Sequence, residues 1–147
     1  MTADEFIVQS RAALVLLNQN RPAETLRLAL DLKALVQLRI QRSGRDFTGS
    51  RFAAYSPAYS LKRKDKGRQV GYVDLTDTGR MWNNVQPRLI ASDSDTTTII
   101  VGASDQQNKN KLLGQVKKRG NVLTPSDSEI ADARAANIAR IKKYLGQ

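Results

Sequence analysis

The sequence predicts an α+β domain in which helices from both ends of the chain pack on a small antiparallel sheet, with residues 45–72 standing out as a long basic loop or arm. Three observations carry that expectation. A Ser/Thr-x-x-Glu capping box opens an apolar-periodic segment near each end, at Thr2–Glu5 and at Ser126–Glu129. Thr96 to Ala103 is the most strand-prone stretch, and Asp93-Ser94-Asp95 before it reads as a hairpin turn. Between the first helical pattern and the hairpin, Gly44, Gly49, Pro57, Gly67 and Gly71 punctuate a polar stretch without helical periodicity.

From the N-terminus, Phe6, Ile7, Ser10, Ala13, Leu14 and Leu17 recur at helical spacing, which predicts a first helix over about residues 3–18. Asn18 to Pro22 reads as a break, with Pro22 opening a second helix. That second helix carries Leu26, Leu28, Leu30, Leu32, Leu35, Leu38 and Ile40, a stripe wide enough to imply contact on two sides. Thr76 or Asp77 can cap a short helix through Met81 and Trp82, which Pro87 ends. Arg88–Ser92 and Thr96–Ala103 then form the hairpin, and a short helix is expected around Leu112, Leu113 and Val116. In the terminal helix, Ile130, Ala133, Ile138, Ile141 and Leu145 make one apolar face, so Ile138 and Ile141 are expected in the core.

The 147 residues hold 24 Lys plus Arg against 14 Asp plus Glu, a net charge of +10, and neither His nor Cys. Such a length supports one domain, 1–147, with a core. Without Cys there is no disulfide, thiolate metal site or cysteine nucleophile, and without His the commonest general base and metal ligand is missing. No cofactor, metal or catalytic residue is expected. The longest apolar run, Ala12 to Leu17, falls far short of the roughly 20 residues that cross a bilayer, and Asp4 and Glu5 are acidic where a secretory signal is basic. The protein is expected to stay in the compartment where it is made.

Gly44 to Gly49 has the spacing of a phosphate loop, but Ser50-Arg51 follows where Lys-Ser/Thr is needed, so a turn is the better reading. The acidic pairs Asp93/Asp95 and Asp127/Glu129 fall in a turn and in the first turn of a helix, where structure explains them. Charge is nevertheless uneven. Residues 45–68 hold seven Lys/Arg against two acids and residues 109–120 hold five against none, while 69–108 hold two against five. Tyr55, Tyr59, Lys62, Arg63, Lys64, Lys66 and Arg68 are therefore the candidate contact residues, facing either nucleic-acid phosphate or an acidic neighbouring subunit.

The order of motifs through this region resembles the tailed-bacteriophage virion-morphogenesis, neck and tail-completion proteins. Gly44-Arg45-Asp46-Phe47-Thr48-Gly49 leads to Phe52-Ala53-Ala54-Tyr55-Ser56-Pro57-Ala58-Tyr59, then a Lys-rich stretch, then Val73-Asp74-Leu75-Thr76-Asp77-Thr78-Gly79-Arg80-Met81. The hairpin's second strand ends in Val101-Gly102 and a Ser-capped helix closes the chain, as is usual in that family. The resemblance implies a virion structural subunit made in the host cytoplasm. It would form a ring of its own copies between portal-side connector and tail proteins, in non-specific contact with packaged DNA and without a membrane. The alternative is a small basic DNA-binding protein outside any ring.

Overall fold

The computed structural model describes residues 2–146 and has the α+β architecture expected. One long helix, α1 (Ala3–Ser43), is followed by α2 (Pro57–Asp65), α3 (Arg80–Asn84), strands β1 (Val85–Ser92) and β2 (Thr97–Ala103), α4 (Gln106–Arg119), α5 (Asp127–Lys142) and a closing 3₁₀ turn, Lys143–Leu145. No helix among the described residues is long and apolar enough to cross a membrane, and no described group of acidic residues is placed to hold a metal ion.

The expected break at Pro22 does not occur. Proline has no N–H to give the Asn18 carbonyl, yet α1 runs through it for 41 residues, about 62 Å. The reason lies on either side. Arg21 donates to the carbonyl oxygens of Asp93 and Ser94, at 3.3 and 2.5 Å, tying the helix to the hairpin tip. Two residues after the proline, the buried Glu24 carboxylate accepts from the Tyr144 hydroxyl at 2.8 Å and from Arg140 Nε at 3.3 Å. Asn20 and Thr25 side chains also donate to the Leu16 and Arg21 carbonyls, at 2.8 Å each. Tertiary contacts at the kink-prone point thus outweigh a local propensity penalty of about 3 kcal/mol.

N-terminal to these contacts, residues 3–20 make up about 27 Å of helix, with Ala13 and Leu17 half-buried. Ile7, Val8, Leu14, Val15 and Leu16 are exposed there. Phe6, expected on the apolar face, has its side chain outside the described residues.

The C-terminal half of α1 carries the core. Val36 and Ile40 pack with Met81 and Trp82 of α3, Val85 of β1, Ala103 of β2 and Val122, with Phe52, Leu75, Leu112 and Val116 around them. α1 itself meets two partners, the hairpin and α5, but Leu30 and Leu38 of the broad stripe are exposed. Arg39 Nε reaches Glu129 Oε1 at 2.8 Å near the start of α5, whereas Glu24 meets Arg140 and Tyr144 at its end, so the two helices run antiparallel. The less exposed face of α5 is Glu129, Ile130, Ala133, Asn137, Arg140 and Ile141, a mixed polar and apolar stripe that Tyr144 of the closing turn continues. Ile138, expected in the core, is 56% exposed, while Ile141 is half-buried.

Gly44 closes α1 in a left-handed conformation (φ 60°), its N–H donating to the Ile40 carbonyl at 2.9 Å. A Cβ here would lie 2.9 Å from the Val73 carbonyl oxygen, so glycine is required both by conformation and by space. The helix after the basic stretch begins at Arg80 with Gly79 as its cap, later than Thr76 or Asp77, and Pro87 lies within β1 instead of ending a helix. Register runs from Val85↔Ala103 to Ser92↔Thr97, with an irregularity at the unpaired Ile90. Leu89, Ile90 and Ile100 of the hairpin are exposed.

Candidate functional site at the basic segment

Three residues of the motif order, Tyr55, Asp74 and Thr76, converge with Arg63 and Gln69 on one polar node. Ser56 caps α2, its hydroxyl accepting from the Tyr59 N–H, and Pro57 occupies the first turn where a missing N–H is harmless. Six residues on, Arg63 is 2% exposed, and all three of its side-chain nitrogens find partners within the chain. Nε donates to the Gln69 carbonyl at 2.9 Å, Nη1 to the Thr76 carbonyl at 2.8 Å, and Nη2 to Asp74 Oδ1 and Oδ2 at 3.1 and 2.9 Å. The guanidinium lies 4.6 Å from the centroid of the Tyr55 ring.

Asp74 is the acceptor at the centre. Besides Arg63 it receives the Tyr55 hydroxyl at 2.9 Å, Gln69 Nε2 at 2.8 Å and the Thr76 N–H at 2.9 Å. Burial is the main cause that pushes the Tyr55 hydroxyl up to about 12, reinforced by its hydrogen bond to the Asp74 carboxylate and that carboxylate's charge. Leu75, directly after Asp74, takes φ 53°, a conformation disfavoured for a side chain of that size. The node holds it there.

Of the seven candidate residues, the structure brings Tyr55, Tyr59 and Arg63 together and separates the rest. Tyr59 meets Tyr55 edge-on, ring centroids 5.1 Å apart, and remains 38% exposed. Arg68 pairs with Asp77, and Lys66 Nζ lies 3.8 Å from the same carboxylate. Lys62 and Lys64 are exposed, and among the described residues neither has an acidic partner. Where the sequence led to an extended arm, residues 57–65 are helical and anchored through Arg63.

No family model, curated protein or solved structure matches the chain. The site therefore has to be read from its own geometry. A cleft of about 340 Å³ opens beside the node, with Tyr59, Leu75, Met81, Arg80 and Lys111 on its walls. A second hollow of about 580 Å³ adjoins it, shares Tyr55, Tyr59, Leu75 and Gln115, and adds Lys118 and Arg119. Sequence reasoning placed the lysines of α4 in a basic block without linking them to Tyr59. The spacing of Lys111, Gln115 and Lys118 was the signal, since i, i+4 and i+7 share one helix face.

Proposed function

We propose that the chain is a structural subunit of the head–tail connection of a tailed bacteriophage, a neck or tail-completion ring made of its own copies between portal-side connector and tail proteins. The observation that carries this reading is the projecting first half of α1. About 27 Å of helix N-terminal to the Arg21 contacts, with Ile7, Val8, Leu14, Val15 and Leu16 exposed, is a surface built for a partner, because an isolated helix of this length gains little stability in water. On the hairpin, Leu89 and Ile100 are exposed on opposite faces, with Ile90 at the irregularity, so the same chain offers apolar surface in more than one direction, which suits head-to-tail contacts in a ring. The motif order supports the reading as well: Tyr55, Asp74 and Thr76, which belong to it, build the node that shapes this part of the fold.

The test is genetic and structural together. Particles made without the gene should accumulate filled heads and free tails that do not join, and a reconstruction of intact particles should place the chain in a ring at the junction. Joined, infectious particles without the protein would overturn the proposal. The second reading, a small basic DNA-binding protein outside a virion, is favoured by the unpaired lysines of α2 and α4 and predicts normal joining in the same experiment.

A further inference from the structure

Three features of the molecule are without an assigned partner: the α1 extension, the hairpin face, and the cleft between α2 and α4. The cleft has the most specific chemistry. Its two hollows lie side by side, sharing Tyr59, Leu75 and Gln115, with Arg80 and Lys111 on the first and Lys118 and Arg119 on the second. Among the described residues none of Arg80, Lys111 and Lys118 closes an ion pair, although the charge of Lys111 is felt by the Asp105 carboxylate at the start of α4. Arg119 adds a buried Nε with no hydrogen-bond partner, although its Nη1 donates to Gln115 Oε1 at 2.5 Å. Asp77 is the carboxylate on this wall, and it is already engaged by Arg68 and Lys66.

Two adjoining hollows with four cations on their walls and the wall carboxylate engaged elsewhere call for an anionic ligand. The opposite wall narrows the choice. Tyr59 keeps its ring partly open, edge-on to Tyr55 and with the Arg63 guanidinium 6.0 Å from its centroid, in a wall shared with the apolar Leu75 and Met81. A carboxylate ligand answers the cations but leaves that aromatic wall uncovered, whereas a nucleotide answers both, phosphate to Lys and Arg and base to Tyr59. Lys111 and Lys118 lie two helical turns apart, about 10 Å along α4, so the cations follow a line and do not surround a point. A line of charge fits a strand. A paired duplex keeps its bases stacked inside and cannot lay one flat against a tyrosine ring.

We infer that the α2/α4 cleft is a binding site for single-stranded nucleic acid, with Lys111, Lys118 and Arg119 holding phosphates and Tyr59 stacking on a base. The site stands on the cleft itself and holds whether or not the chain enters a ring.

The experiment is fluorescence anisotropy of the full chain with a labelled oligothymidylate of about ten nucleotides, a length within known single-strand site sizes. The duplex of the same length, polyglutamate and thymidine monophosphate serve as competitors. Lys111→Gln with Lys118→Gln should weaken strand binding about tenfold or more, and Tyr59→Ala should weaken it by about the same factor while leaving the salt slope unchanged. The charge-matched control Arg134→Gln with Lys142→Gln, on exposed positions of α5, should change it less than about threefold. Lys111 and Lys118 are exposed, so the first double variant should melt with the parent chain. Equal weakening by the control would reduce the effect to overall charge and overturn the site. Competition by duplex as strong as by the single strand, no loss with Tyr59→Ala, or displacement by polyglutamate at equal charge would each overturn the strand assignment. Displacement by the monophosphate at equal nucleotide concentration would do so in favour of free nucleotides.

Discussion

Arg63 is one of five basic residues between Lys62 and Arg68, yet its role differs from that of its neighbours because a guanidinium is a fork. It reaches two carbonyls and a carboxylate in three directions at once, which an ammonium cannot do. Arg63→Ala leaves Asp74 buried without its counter-charge and should cost about 3–5 kcal/mol in denaturant unfolding. Arg63→Lys should recover only a small part of that loss. In the sequence the residue looked like part of a solvated charge run, since its partners sit 6 to 13 positions away through an irregular loop that no periodicity registers. The tyrosine beside it supplies a pH test. Tyr55 titrates at 10.0 when unperturbed and at about 12 in the fold, so its contribution is complete below pH 10 and fades as pH rises through about 12. The wild-type chain should lose stability across that window, and Tyr55→Phe should flatten the slope there while lowering stability at neutral pH.

Among the elements, α5 was the easiest to place and the hardest to orient. Ser126 and Glu129 mark its start in the sequence as in the fold, where Ser126 accepts from the Glu129 N–H and Glu129 Oε2 accepts from the Ser126 N–H at 2.8 Å. Its apolar residues pointed to Ile138 as core. The helix instead docks on α1 through charged residues at matching spacing, Glu129 on Arg39 and Arg140 on Glu24, which a hydrophobic pattern cannot reveal. Glu24 shows how the pairing is tolerated. Burial works against its charge and is the largest single influence, but the Tyr144 hydroxyl, Arg27, Lys143 and Arg140 together hold its carboxyl below the ordinary value. It follows that Ile138→Ala should shift stability by no more than about 0.5 kcal/mol, as for other exposed sites. Ala133→Leu, at a position 1% exposed, should cost about 1–3 kcal/mol through overpacking. Thermal melts of the two variants read the difference directly. The hairpin was legible because strand propensity and turn chemistry agreed. The break at Pro22 was misread because local propensity took no account of Arg21 and Glu24, whose partners lie more than 70 residues away.

At the scale of the whole molecule, the chain divides into a body with a shared core and a bare helical extension. The extension carries Asp4 and Glu5 against Arg11, so copies of a strongly basic chain can approach through it with little like-charge repulsion. Under the ring reading, sedimentation of the full chain should show species larger than one copy, and Leu14→Asp with Val15→Asp should return it to single copies with its melting behaviour unchanged. A single species for both proteins would remove self-association from the account. The Arg63 clasp has a consequence of another kind, for what happens when the backbone is cut. Lys64 and Lys66 are exposed directly after it, open to a trypsin-like protease, while Arg63 itself is shielded. A nick at either lysine leaves Arg63 on one fragment and its partners Gln69, Asp74 and Thr76 on the other. The two fragments should travel together through gel filtration and part only in denaturant, so that the protein outlives the continuity of its own chain.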